Sequence, residues 1–169
     1  ISAVDRGNVM HAVMQRIQLE KCTGEEQISE EVERLVEQGY ISADQANAVN
    51  ISQIASFFNT DMGIQLRRAE NVLREFKFSI LVEGEELTDD PDDRILLQGV
   101  VDCAIITNDG IRIIDFKTDR VTKETLGDVS EKYRPQLEGY ANALSRIYRM
   151  PVKSALLYFF NLNQFVSII

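Results

Sequence analysis

The stretch IRIIDFKTDR, residues 111–120, delivers Asp115, Lys117 and Asp119 within five positions at the end of an apolar strand. Two carboxylates and an ammonium beside an apolar sheet are costly to desolvate unless they neutralise one another or bind something. A third acid, Asp102, closes the run GVVD shortly before. A two-residue turn at Asp109-Gly110 would set Asn108 against Ile111, Asp102 opposite Lys117 and Ala104 opposite Asp115. Strand alternation then places Asp102, Asp115 and Lys117 on one face, with Val101, Cys103, Ile105, Ile114 and Phe116 on the other. Asp102 and Asp115 become diagonal neighbours about 7–8 Å apart at the backbone, near enough to converge on one cation. Hard oxygen donors of this kind suit Mg²⁺, which takes one or two carboxylates and leaves positions for water and phosphate. Lys117 beside them can orient a water or neutralise charge developing on a phosphate. The other use of the same residues is a salt bridge between Lys117 and Asp102.

The elements that must position these groups follow from periodicity. Val9, Met10, Val13, Met14 and Ile17 predict a helix over about 4–20. A second helix covers 25–38, with Ile28, Val32, Leu35 and Val36 inward and Gly39 at its end. Ser42 caps a third over 43–58 and Thr60 a short fourth. The period then becomes that of strands, at 71–82, 94–107 and 111–118, with the acidic segment containing Pro91 as the loop between the first two. A helix from about 133, with Pro135 in its first turn and Leu137, Ala141, Leu144 and Ile147 as apolar positions, leads to a strand at 152–160. Residues 164–169 offer a fifth strand. This order predicts an α+β domain, helical over 1–70 and sheet-containing over 71–169.

Composition bounds the function. The chain has 169 residues, 44% of them hydrophobic, enough for a single core. No run approaches the roughly 18 apolar residues of a membrane span, so a soluble, membrane-free protein is expected. Cys22 and Cys103 suggest neither a disulfide framework nor a metal cluster, which suits a reducing cytoplasm. The net charge of −9 is concentrated in residues 20–37 and 83–93. Outside them, Arg67, Arg68, Arg74, Lys77, Lys117, Arg120, Lys123, Lys132 and Arg134 remain to form a basic surface. The chain opens at an isoleucine, already helical by about its fourth residue, and is expected to be the C-terminal piece of something larger.

The set GVVD (99–102) and IIDFKTD (113–119) resembles the active-site pattern of PD-(D/E)XK nucleases. Within that superfamily the chain is similar to the nuclease domains of AddA/RecB-type helicase-nucleases. These carry Gly-x-x-x-His on an N-terminal helix, a Glu on the first strand, Gly-x-x-Asp, Asp-x-Lys and a later Gln-x-x-x-Tyr. Here the elements read Gly7 to His11, Glu75, Gly99 to Asp102, Asp115 to Lys117, and Gln136 to Tyr140. The resemblance implies a restriction-endonuclease-like core in the order α-β-β-β-α-β, a mixed sheet flanked by helices. It implies Mg²⁺, with Mn²⁺ as a possible substitute, held by His11, Asp102, Asp115 and the Phe116 carbonyl. Asp102, Asp115, Lys117 and Glu75 are then catalytic, and Gln136, Tyr140 and Thr118 contact substrate. The implied partners are DNA, as single strands from an unwound duplex end, upstream helicase domains, and an AddB- or RecC-like subunit in the bacterial cytoplasm. AddB-type nucleases carry iron-sulfur cysteines, which two cysteines cannot supply. No G-x-x-x-x-G-K-[ST] occurs, so ATP would enter only through a motor outside this sequence. Two alternatives stand beside this: a free-standing phage-type exonuclease of the same superfamily, and a non-catalytic nuclease-like module for DNA binding or docking.

Overall fold

The computed structural model describes residues 2–83, 89, 90 and 92–169. Most of the acidic loop expected between the first two strands, including Pro91, lies outside the described residues.

Helix α1 (Ala3–Arg16) starts at a reciprocal cap between Ser2 and Asp5 and buries Val9, Met10, Val13 and Met14, the stripe expected from sequence. A 3₁₀ turn (Leu19–Lys21) and α2 (Glu25–Glu37) follow, and Gly39 at φ +79° turns the chain away. The single helix expected over 43–58 is two: α3 (Ala43–Asn47) and α4 (Ile51–Phe58). Asn50 separates them by accepting from the Gln53 N–H, a side-chain cap that starts a new helix. Thr60 caps α5 (Asp61–Arg68) in the same way.

Strands β1 (Val72–Glu83), β2 (Arg94–Thr107), β3 (Gly110–Lys117), β4 (Val152–Phe159) and β5 (Gln164–Ser167) form one mixed sheet in sequential order. Only β3 and β4 are parallel, joined by the crossover helix α6 (Leu126–Tyr148). This is the α+β, restriction-endonuclease-like arrangement. The five N-terminal helices cover one sheet face through Cys103, Ile105, Ile114, Phe116 and Tyr158. Helix α6 covers the other through Leu137, Ala141 and Leu144 on Ala104, Ile113 and Leu157. The chemistry at the strand ends is thus held between two cores.

Helix α6 begins seven residues earlier than expected, because Leu126 and Ser130 are buried and extend its inner face. Pro135 therefore sits inside the helix, and Ile147 is exposed rather than inward. The basic surface is also smaller than expected. Arg74 turns inward onto the Met14 and Ile17 carbonyls at the end of α1, and Arg134 is paired with Glu131.

Candidate active site

Register decides which charges meet. Strands β2 and β3 pair Thr107 with Gly110 and Cys103 with Ile114, so the turn residues are Asn108 and Asp109. The Asp109 carboxylate accepts from the Thr107 hydroxyl and from Arg112, which fixes this turn. The register is two residues off the expected one. A shift of two preserves the face of every side chain but changes its partner. Continued past Cys103–Ile114, it sets Asp102 directly across from Asp115, not diagonal to it, and no longer across from Lys117.

A second irregularity lies between β1 and β2. Their ladder pairs Arg74 with Cys103 and Phe76 with Val101, passing over Glu75 and Asp102. Glu75 takes φ +46°, a conformation that costs a non-glycine residue energy and is often kept at functional sites. One residue added on each strand keeps the register but inverts the alternation. Hence Val101 packs on the α6 side while Cys103 and Ile105 face the N-terminal helices, against the single face expected for all three. Asp102 stands at the inversion, between the two layers.

There it meets His11. The imidazole Nε2 lies 3.4 Å from Asp102 Oδ2 and 2.8 Å from the Phe116 carbonyl, and Nδ1 is 2.9 Å from the Gly7 carbonyl. Both ring nitrogens face oxygens, the pattern of a doubly protonated ring. The hydrogen bond to Asp102 and its charge push His11 up to about 9. Asp102 also accepts from the Phe116 N–H at 2.9 Å. Burial works to raise its pKa, yet the His11 and Phe116 contacts hold it below the ordinary carboxylate value. Gly7 brings α1 this close: a Cβ there would stand 2.8 Å from Thr118 Oγ1.

Asp115 is only 3% exposed. Burial, then the charge of Asp102, push its carboxyl up to about 7 despite the neighbouring ammonium. Lys117 Nζ lies 2.7 Å from Asp115 Oδ2, an oxygen with no well-angled hydrogen bond. The expected alternative salt bridge of Lys117 with Asp102 is thus made with Asp115. Lys117 also donates to Gln136 Oε1 at 3.1 Å and lies 3.8 Å over the Tyr133 ring. Tyr133 donates to Asp119 at 2.8 Å, and burial, together with that carboxylate, pushes its phenol up to about 12, so it stays a neutral donor.

Of the other expected site residues, Glu75 lines a cleft of about 290 Å³ with Asn8, Gln15, His11 and Asp102. Tyr140 is buried edge-to-face on Phe78, with its phenol pushed up to about 12 by burial and by the charges of Asp115 and Asp102. Gly99 makes room for it, since a Cβ there would stand 2.9 Å from both the Tyr140 and Phe78 rings. Gly99→Ala is accordingly expected to cost about 1–3 kcal/mol by overpacking. Thermal unfolding should show it as a drop of about 2–4 °C per kcal/mol. Thr118 is placed against Gly7, on the α1 side of the strand end, away from the Lys117–Gln136 contact. Sequence reasoning missed Tyr133, although it precedes Gln136 by one turn and so shares its helix face.

Among the described residues, no three His, Cys, Asp or Glu side chains form a ready-made metal cluster. Asp115 leans to Lys117 and leaves two side chains and a carbonyl. Those donors nevertheless fit a small hard cation. An octahedral Mg²⁺ about 2.1 Å from each ligand puts adjacent ligands about 3.0 Å apart. His11 Nε2 lies 2.8 Å from the Phe116 carbonyl and 3.4 Å from Asp102, with the single Nε2 proton in place of the ion. The Asp115 carboxyl beside this trio, facing Asp102, adds to the negative charge such an ion requires.

Residues 1–166 match the PD-(D/E)XK nuclease superfamily. The chain is 37% identical over 179 aligned residues to an ATP-dependent helicase/nuclease subunit of Bacillus cereus strain ATCC 10987, and 36% identical to the subunit of the same name in Bacillus mycoides strain KBAB4. Each alignment covers 99% of this chain and 14% of the relative, so the chain spans about one-seventh of the length of those proteins. With an aspartate in Gly-x-x-Asp facing the aspartate of Asp-x-Lys across two paired strands, and a family match over nearly every residue, the chain belongs to the PD-(D/E)XK nuclease superfamily.

Proposed function

We propose that this chain is the Mg²⁺-dependent nuclease domain of a helicase-nuclease, an exonuclease that processes double-strand DNA ends for recombinational repair. The observation that carries the reading is the meeting of His11, Asp102, Asp115, Lys117 and the Phe116 carbonyl at one strand end. The relatives' name, ATP-dependent helicase/nuclease, supports a motor elsewhere in the same polypeptide. On this reading residues 1–169 are one domain, near the C-terminus of the parent. Its substrate is a single strand released by the motor, its partner an AddB- or RecC-like subunit, and its compartment the bacterial cytoplasm. Among the described residues no helix is long and apolar enough to cross a membrane.

His11, Asp102, Asp115 and the Phe116 carbonyl would hold Mg²⁺ or Mn²⁺. Such an ion, when bound, polarises a phosphoryl oxygen and acidifies water at neutral pH. Lys117, braced by Asp115 and Gln136, orients the attacking water or offsets charge on the phosphate. The cleft bordered by Glu75, Asn8 and Gln15 gives a nucleotide access to the same point. The test is incubation of the chain with labelled single-stranded DNA. Cleavage should require Mg²⁺ or Mn²⁺ and stop on chelation. Cutting that survives chelation, or none with either ion, overturns the proposal.

A further inference from the structure

The Lys117 ammonium has neighbours on three sides. Asp115 Oδ2 is at 2.7 Å, Gln136 Oε1 at 3.1 Å, and the centre of the Tyr133 ring at 3.8 Å. Gln136 Oε1 accepts one of its N–H bonds, the Asp115 carboxylate pairs with its charge, and the negative face of the ring meets the cation from another side. The ring is itself tied down. Its hydroxyl donates to Asp119 Oδ2 at 2.8 Å, and the Asp119 carbonyl accepts from Asn161 Nδ2 at 3.0 Å, beyond β4. Asp119 follows Lys117 by two residues. The ring is therefore anchored to the same main chain that carries the lysine, and a flexible four-carbon stem is confined from both ends.

We propose that Tyr133, tethered by Asp119, is a positioning residue that fixes where the Lys117 ammonium points. This rests on the reading of Lys117 as the working cation of a nuclease site, and it gives Asp119 a task that its sequence spacing leaves open. The contacts of the Tyr133 side chain run to Lys117 and Asp119, so its effect passes through Lys117. A tyrosine of α6 that only packed against the core beneath its helix would influence stability and nothing else.

Four variants separate the two: Tyr133→Leu, Tyr133→Phe, Asp119→Ala, and the Asp119→Ala/Tyr133→Phe double variant. Each is read by kcat and KM on single-stranded DNA with Mg²⁺, and by the proton chemical shift of the Lys117 ε-methylene without metal. Tyr133→Leu is expected to lower kcat about tenfold with KM little changed, since the ring contact is lost. Tyr133→Phe and Asp119→Ala are each expected to lose about two- to fivefold, and the double variant no more than either, because hydroxyl and carboxylate act as one link. The Lys117 ε-methylene should be shifted upfield by the ring in the parent and in Tyr133→Phe, and unshifted in Tyr133→Leu. Losses that multiply in the double variant, or a Lys117 resonance unaffected by Tyr133→Leu, overturn the proposal. If Tyr133→Leu does not fold, the milder pair and their double variant decide it. An inactive parent chain would overturn the nuclease reading, while the methylene shift would still decide whether Tyr133 holds Lys117.

Discussion

Asp115→Asn is expected to abolish cleavage, by about 10³-fold or more, while leaving the melting temperature equal or higher. The two outcomes separate because of how the carboxyl is placed. It is buried, faces Asp102 across the strands, and is offset mainly by Lys117. An amide of the same size removes a desolvated charge and a like-charge neighbour without leaving a cavity. It also removes an anionic donor, and leaves Asp102 as the single carboxylate for a cation. Lys117→Gln should be as inactive for a different reason. It takes away the ammonium and the charge beside Asp115, so that carboxyl rises further and gives up its proton less readily to an incoming cation. Because the two side chains act as a unit, the double variant should be little worse than the worse single one. Single-turnover cleavage checks the first claim, and thermal unfolding the second. An Asp115→Asn chain that cuts at the parent rate would remove Asp115 from the site.

The second large effect is an exchange of protons for metal. Without metal, His11 is raised from its ordinary 6.5 to about 9 and Asp115 from 3.8 to about 7. For a group raised on folding, the folded chain binds more protons than the unfolded one, so stability falls as pH rises. The Asp115 contribution is complete below about pH 4 and is lost as pH rises through about 7. That of His11 is complete below 6.5 and is lost as pH rises through about 9. Asp102, whose value is lowered, works in the opposite sense, and its share disappears only in acid. The metal-free melting temperature should thus decline between about pH 6 and pH 9. On the proposed reading Mg²⁺ would displace these protons, so its affinity should climb by up to about tenfold per pH unit for each proton released. Calorimetry in buffers of different ionisation enthalpy counts those protons directly. A metal affinity flat across this range would separate the ion from His11 and Asp115.

Much of this was legible in the order of residues. Val9, Met10, Val13 and Met14 specify one face of a helix, and alternating apolar residues specify β2 and β3, because burial periodicity is a local property of the chain. The Gly7 of Gly-x-x-x-His is where α1 comes against the strand end, since a Cβ there would stand 2.8 Å from Thr118 Oγ1. The boundaries were less legible where a side chain outside the pattern intervened. Asn50 split one expected helix by capping a new one, and Leu126 and Ser130 carried α6 past Pro135.

By itself, then, the sequence determined the fold class and named the candidates for the site: Gly-x-x-Asp, Asp-x-Lys, a helix-borne His11 and the Gln136–Tyr140 pair. What only the tertiary structure decided is which charge faces which. The turn at Asn108–Asp109 moved the pairing by two residues, which leaves parity intact and therefore leaves no trace in a hydrophobic pattern. The paired irregularity at Glu75 and Asp102 inverted the alternation on both strands together, so neither strand's sequence announces it. The partners of Lys117, one on its own strand and two on α6, depend on where a crossover helix docks. Docking is set by packing between residues distant in sequence, and local periodicity carries no record of it.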